Sequence, residues 1–363
     1  MLQRLYVHNF RCLENFELSL KGMSSALLIG KNGSGKSTIS YVLQVLQSIG
    51  RGINRVDQLI KPKDFSQGRS NVPMRFEIDV LLKDKLYSYV LALEWSETKK
   101  ELHVLEEKLL VGEKRSYSRE DYTVRRGNGQ FAVGVNLVAL PIIQEEAETD
   151  PLYIFKTWLT RSIILAPIPI LMTGDSQSET LQPKRDGSNF GDWLRGVLSR
   201  YPAAYSTIEK YLREVMPDMS DFQNEQLGKD FKSMKIQFEV NNGTLPIYFD
   251  DLSDGEKCFF ICAVVLAANK YYGPLFCFWD EPDNYLSLSE VGHFIVALRQ
   301  SFKQGGQFLA TSHNEETIRK FSNENTFVLD RKSHLEPTLI RLLSDISIQG
   351  DLVDTLIRGD IEL

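Results

Sequence analysis

The chain has 363 residues, with 42% hydrophobic, 25% charged and 10% aromatic content, an ordinary globular composition with room for about two domains. Lys and Arg number 42 against 48 Asp and Glu, a net charge of −6, which excludes a generally basic nucleic-acid coat protein but leaves room for a local basic face. The longest apolar run, Cys258 to Ala268, falls short of the roughly 20 residues a bilayer span needs, and Met1 to Phe10 has no signal-peptide shape. Cys12, Cys258, Cys262 and Cys277 form no CxxC pair and no zinc spacing, so a cytoplasmic protein with buried reduced thiols and no membrane contact is expected.

Leu2 to His8 and Phe16 to Leu20 alternate as strands do, and Ser25 to Ile29 is a short buried run ending in glycine. Ile39, Val42, Leu43 and Leu46 predict a helix from Lys36 to about Ser48. From Met74 to Val135 strand follows strand: Arg75 to Leu82, Leu86 to Trp95, Leu102 to Val111 and Tyr117 to Val124. Turns at Lys83-Asp84 and Gly127-Asn128-Gly129 make this an antiparallel sheet. The character changes near Asp150-Pro151. Leu152 to Arg161 reads as a helix, Ile163 to Pro167 as a strand, Gly174 to Gly187 as a polar loop, and Asn189 to Arg200 and Ala203 to Val215 as helices. After another pair of strands, an apolar helix runs from Asp254 to Lys270, and strands alternate with helices to about Ile340. Alternation of this kind argues for a parallel sheet and an α/β core. It divides the chain into an N-terminal half over 1–150, a helical lobe over 151–254 and a C-terminal half over 255–363.

Gly30-Lys31-Asn32-Gly33-Ser34-Gly35-Lys36-Ser37 satisfies GxxxxGK[ST] between a buried strand and an amphipathic helix. The glycines let backbone N–H groups turn inward around phosphate oxygens, and the helix adds its positive N-terminus. Lys36 supplies charge to the β- and γ-phosphates, and Ser37 offers a hydroxyl to Mg²⁺. Leu275 to Trp279 is a continuous apolar run that ends in Asp280-Glu281-Pro282, acidic residues at the C-terminal end of a buried parallel strand. There Asp280 would hold Mg²⁺ through water and Glu281 would polarise the attacking water. Leu252-Ser253-Asp254-Gly255-Glu256 sets a serine and a glycine at a helix N-terminus, read either as a second anion-binding device or as a plain N-cap. Thr311-Ser312-His313 ends the strand Gln307 to Ala310; His313 is either structural or placed beside a γ-phosphate.

In their order and spacing, the phosphate loop, the LSDGE segment, the apolar strand with DEP and the TSH segment resemble the ATP-binding-cassette (ABC) superfamily. More narrowly the chain resembles the RecF/SMC/OLD-like branch of predicted AAA ATPases, as found in stand-alone ATPase subunits of bacterial anti-phage systems. Asn9-Phe10-Arg11 and Asp186-Gly187-Ser188-Asn189-Phe190 are similar to two further segments of that branch. The resemblance implies an α/β P-loop NTPase fold of ABC type: a mixed central sheet, an antiparallel β subdomain and an inserted helical lobe. It implies two copies meeting head to tail, as a dimer or a higher oligomer. ATP and Mg²⁺ would lie between one phosphate loop (Gly30, Asn32, Gly33, Ser34, Gly35, Lys36, Ser37 and Thr38) and the other copy's Ser253 and Gly255. Glu281 becomes the catalytic carboxylate and His313 the switch residue, with Ser37 and Asp280 on the Mg²⁺ side. Gln144 is the candidate Mg²⁺-sensing glutamine or a solvated loop residue, and Arg11 a contact to nucleotide or a surface arginine. Asp254 departs from the transporter glycine, and Ser287 stands where transporters have the D-loop aspartate.

Four activities compete under this resemblance: a regulatory ATPase gating a partner effector such as a nuclease in trans, a RecF-like DNA-binding repair ATPase, a transporter ATPase and an OLD-type nuclease. The stretch from Ser37 to Ser253 is longer than transporters use, and the chain after His313 is expected to be too short for a TOPRIM nuclease domain. The effector-gating ATPase, in anti-phage defence, is the expectation, and the DNA repair ATPase its alternative. Lys114, Arg115, Arg119, Arg125 and Arg126 lie with Tyr117 and Tyr122 in one strand–turn region. They form either a nucleic-acid contact or, as the favoured reading, a solvated face.

Overall fold

The computed structural model describes residues 1–240 and 243–346. The chain divides into two compact units, Met1–Ser162 joined by the chain from Asn323 onward, and Ile163–Ser322.

The first unit opens with β1 (Leu2–His8), β2 (Phe16–Ser19), β3 (Ser25–Ile29), α1 (Lys36–Gly50) and the single turn α2 (Val56–Leu59). Then come β4 (Met74–Leu82), β5 (Lys85–Ser96), β6 (Glu101–Val111), β7 (Lys114–Glu120), β8 (Thr123–Arg126), β9 (Gly129–Ala132) and α3 (Pro151–Arg161). Eight of these strands form one antiparallel sheet in the order β2-β1-β4-β5-β6-β7-β8-β9. Period-two alternation explains its two faces: in β4, Met74, Phe76, Ile78 and Val80 are buried while Arg75, Glu77 and Asp79 are only half-buried. Against the sheet α3 sets Phe155, whose ring lies 5.5 Å from Tyr89 and 6.3 Å from Tyr87. The run Tyr117 to Val124, expected as one strand, is two. Asp121 takes the left-handed conformation (φ +52°), which its short polar side chain tolerates, and turns β7 back into β8. Gly129–Ala132 then adds a ninth strand.

The second unit carries β10 (Ile163–Leu165), α4 (Phe190–Arg200), α5 (Ala204–Val215), β11 (Met219–Gln226), β12 (Lys232–Val240) and β13 (Gly243–Tyr248). It continues with α6 (Asp254–Tyr272), β14 (Phe276–Asp280), α7 (Leu288–Lys303), β15 (Gln307–Thr311) and α8 (Glu315–Arg319). Strands β10, β14 and β15 pair in parallel, whereas β11, β12 and β13 make a small antiparallel sheet, three strands where the pattern predicts two. Helix α6 is apolar all round because it is the centre of this unit: every residue from Lys257 to Asn269 is buried. Around it, Phe190 of α4 stacks on Phe249 at 4.6 Å, and Phe249 and Phe222 stand edge-on to Phe260 at 5.7 and 6.1 Å. Each such ring, fully buried, stabilises the unit by about 1.5–3 kcal/mol before cavity costs are counted.

The chain returns to the first unit with β16 (Thr326–Asp330) and β17 (Leu339–Leu342). Strand β16 lies parallel to β3, with Val328 opposite Ile29, and antiparallel to β17. All five residues of β3 are buried, as the short apolar run predicts. The end of the expected C-terminal half, 347–363, lies outside the described residues.

Candidate functional site: a phosphate cradle and an acidic strand end

The phosphate loop leaves β3 where no side chain fits. A Cβ on Gly30 (φ +151°) would lie 2.1 Å from the Leu329 carbonyl oxygen of β16, and one on Gly35 (φ +105°) 2.7 Å from Thr338 Oγ1. Thr338 donates its hydroxyl to the Ser34 carbonyl at 2.8 Å and its N–H to that of Cys12 at 2.9 Å, which holds the loop from the C-terminal side. Lys36, only 6% exposed, folds its ammonium back onto the carbonyls of Gly30 (2.7 Å) and Lys31 (3.2 Å). The Ser34 hydroxyl is buried with no hydrogen-bond partner among the described residues. Helix α1 begins at Lys36 with no capping side chain and no acidic residue in its first turn. A buried ammonium, an orphaned hydroxyl and an uncapped helix start make a donor set for a polyanion. Asn32, Gly33 and Ser37 are exposed at this cradle, and Thr38 is half-buried with its hydroxyl facing the Cys12 thiol at 3.5 Å.

Arg11 is tethered rather than loose. It sits in the left-handed region, donates Nε to Asp64 Oδ1 at 2.9 Å, and lays its guanidinium 4.2 Å from the centre of the Tyr41 ring on α1. Gln144 is exposed in the coil between β9 and α3, and its carbonyl accepts from Arg126.

In the second unit Asp280 is the last residue of β14, opposite Thr311 of β15. The Thr311 hydroxyl donates to Asp280 Oδ1 at 2.7 Å and accepts the Glu281 N–H at 2.9 Å, so one side chain orients both acidic residues. Glu281 has a left-handed backbone (φ +52°), a conformation costing a non-glycine residue about 1–2 kcal/mol, here held by that hydrogen bond. Its carboxylate takes the Asn284 amide at 2.6 Å and lies 3.5 Å from His313 Nε2. The structure thus brings Asp280, Glu281 and His313 together. Beneath them Asp283 is buried and accepts the Ser312 and Thr317 hydroxyls. Burial pushes its carboxyl up from the usual range, against the pull of the two hydroxyls. Asp280 Oδ2 receives Arg185 Nη2 at 3.1 Å.

Ser253 is the N-cap of α6 in a capping box: its N–H and hydroxyl donate to Glu256 Oε2 at 2.8 and 2.6 Å. Gly255 follows, close against the Tyr285 carbonyl. The basic cluster, by contrast, is not one face. Arg119 is 1% exposed, with its guanidinium on the backbone carbonyls of Asp121, Gly134 and Leu137, and Tyr117 is buried with its hydroxyl on Glu107. Arg126 pairs with Asp150, and Arg125 lies 3.8 Å from Glu120. For Arg119 and Tyr117 both readings, nucleic-acid contact and solvated face, give way to a packing role. All four cysteines are buried, and burial pushes Cys258 up to about 12 and Cys262 and Cys277 higher still.

Three residues in the acidic cluster escaped the sequence reading of roles: Thr311, Asn284 and Arg185. Each adjoins a motif that was read, in TSH, after DEP and before the DG pair; the partners of Thr311 and Arg185 lie on another segment, whereas Asn284 bonds Glu281 three residues before it. No three His, Cys, Asp or Glu side chains converge as a metal cage among the described residues. Ser37 and Asp280 each present a hard oxygen of the kind Mg²⁺ prefers, and such an ion commonly takes only one or two protein oxygens besides phosphates. Among the described residues no helix is long and apolar enough to cross a membrane.

The fold and the two clusters define an α/β P-loop NTPase of ABC type. The chain belongs to the RecF/RecN/SMC N terminal domain family, matched over residues 1–335. Among curated relatives, mRNA export factor elf1 of Schizosaccharomyces pombe is 23% identical over 320 residues, 88% of this chain and 26% of its own length. Methionine import ATP-binding protein MetN of Helicobacter pylori is 32% identical over 120 residues, 31% of this chain and 37% of its own length. The chain therefore spans well under half the length of either relative. A solved SMC head, bound in its crystal to the C-winged helix domain of ScpA, superposes with a TM-score of 0.59 at 14% identity, covering 95% of this chain and 98% of that one, a likeness of fold.

Proposed function

We propose that this protein binds ATP with Mg²⁺ on the phosphate loop and hydrolyses it at the acidic end of β14. The carrying observation is the cradle itself: a buried Lys36 ammonium and an orphaned Ser34 hydroxyl in a loop where Gly30 and Gly35 leave no room for a side chain. Ser37 and Asp280 are the residues that would hold Mg²⁺, which would neutralise phosphate charge as it builds up. Lys36 exchanges its carbonyl contacts for phosphate oxygens. Glu281, aimed by Asn284 and by the Thr311 anchor, orients the attacking water and accepts its proton, and His313 holds the far carboxylate oxygen in place. Gln144 and Arg11 have no step of their own in this scheme.

The same reading extends to pairing. Two copies meet head to tail around ATP, Ser253 turns its hydroxyl from Glu256 toward the other copy's γ-phosphate, and closure gates a partner effector such as a nuclease in trans, in anti-phage defence. Support for this extension is the resemblance of the ordered motifs. Association with DNA is the second reading, favoured by the family's RecF and SMC members. Arg119 and Tyr117 take no part in it, because they are interior, while Lys114, Arg115, Tyr122 and Arg125 of the same cluster are exposed. Replacing Lys36 by Ala should weaken binding of a fluorescent ATP analogue by about ten- to a hundredfold, the scale of losing a charge-assisted hydrogen bond. Unchanged affinity would remove the phosphate-loop assignment.

A further inference from the structure

Asp280 has a cation of its own. While Oδ1 takes the Thr311 hydroxyl, Oδ2 takes Arg185 Nη2 at 3.1 Å, with the carboxylate 9% and the guanidinium 22% exposed. Arg185 is placed by backbone, not by chance of a long side chain. Its carbonyl accepts the Ala166 N–H at 2.8 Å, and the Asp186 carbonyl accepts the Ile168 N–H at 3.0 Å, both just beyond β10. Because β10 pairs in register with β14, Leu165 opposite Trp279, this stitching delivers Arg185 to the strand end where Asp280 sits. Within the turn, Gly187 N–H closes on the Lys184 carbonyl at 3.1 Å and Ser188 N–H on Asp186 Oδ1 at 3.0 Å, which fixes its shape.

We infer that Arg185 is a resident counter-cation that competes with divalent metal for Asp280, so that the metal affinity of the nucleotide-loaded protein is set by opening the Arg185–Asp280 pair. The inference rests on the ATPase reading, in which Asp280 serves Mg²⁺. A guanidinium on a carboxylate oxygen satisfies that oxygen's charge and repels a dication arriving at the same group; partial burial keeps solvent and salt from screening the repulsion away. In the metal-free protein the pair keeps Asp280 ordered. Arg185 is thus a residue that tunes the site through Asp280, outside the reacting atoms.

The test is a Mn²⁺ titration followed by electron paramagnetic resonance, on the full chain saturated with a non-hydrolysable ATP analogue, for wild type, Arg185→Ala, Arg185→Gln and Arg185→Lys. Glutamine keeps a donor for Asp280 without the charge, so it reports even where the alanine variant folds poorly. Both neutral variants should bind Mn²⁺ about three- to tenfold more tightly than wild type, and the lysine variant should stay near wild type. Equal or weaker Mn²⁺ affinity in the neutral variants overturns the inference and leaves the ATPase reading standing. A wild-type protein that takes up no nucleotide overturns the ATPase reading itself, and the inference with it.

Discussion

At the residue scale, Thr311 is the pivot of the acidic cluster. One hydroxyl donates to Asp280 and accepts from the Glu281 backbone, so the Asp280 carboxylate and the Glu281 main chain keep a fixed relation. In the proposed mechanism the two acidic side chains have separable jobs. Glu281→Gln keeps shape and a hydrogen-bonding oxygen while removing the charge that takes a proton. Turnover should fall by roughly a hundredfold or more, while ATP binding persists, since the carboxylate acts chiefly in the transition state. Turnover and nucleotide occupancy measured on one preparation check this, and near-normal turnover would disqualify Glu281 as the base. The motifs at this site were legible because each is local: a loop, a strand end, a dipeptide before a histidine. Arg185 was not, because its meaning comes from β10 and β14 lying side by side, which no short window contains.

Among the elements, α3 shows how a helix start can carry a pH dependence. Asp150 caps it, accepting the N–H groups of Leu152 and Glu146, each at 2.9 Å, and pairing with Arg126. Burial alone would push this carboxyl up, but the two N–H groups and the guanidinium outweigh it and hold it below the usual carboxylate range. Its folded-state pKa is therefore depressed. The stability it contributes is complete above the unfolded value of about 4 and is lost as pH falls through the folded value. Asp150→Ala should cost about 1–2 kcal/mol in urea unfolding at pH 7, and the difference from wild type should shrink at pH 3. An equal difference at both pH values would mean that packing, not the charged cap, is at work. Helices such as α3 were readable because Pro151, the cap and the apolar spacing agree. The β7–β8 turn was not, since Asp121-Tyr122 lacks glycine or proline and the alternation runs on through it. Nor could the interior place of Arg119 be foreseen, because its carbonyl partners lie in Asp121, Gly134 and Leu137.

For the whole molecule, the proposed pairing depends on Ser253, which the single chain uses as a helix cap. Ser253→Arg should leave nucleotide binding by the monomer intact, apart from a stability loss of about 1 kcal/mol for the cap, and should abolish ATP-driven pairing. Ser253→Thr, which keeps a capping hydroxyl, should pair normally. Sedimentation velocity with and without ATP separates these outcomes, and pairing of the arginine variant would remove Ser253 from the contact. One consequence of the discontinuous first unit concerns synthesis on the ribosome. Strand β3, buried along its whole length, is made first, yet its parallel neighbour β16 follows only after Ile163–Ser322 has been translated. At about 5–20 residues per second the roughly 300 residues between the two strands take about fifteen to sixty seconds, during which the second unit is synthesised in full. A nascent chain of this protein therefore carries β3 without its β16 partner throughout that window, an exposed apolar strand of the kind chaperones cover.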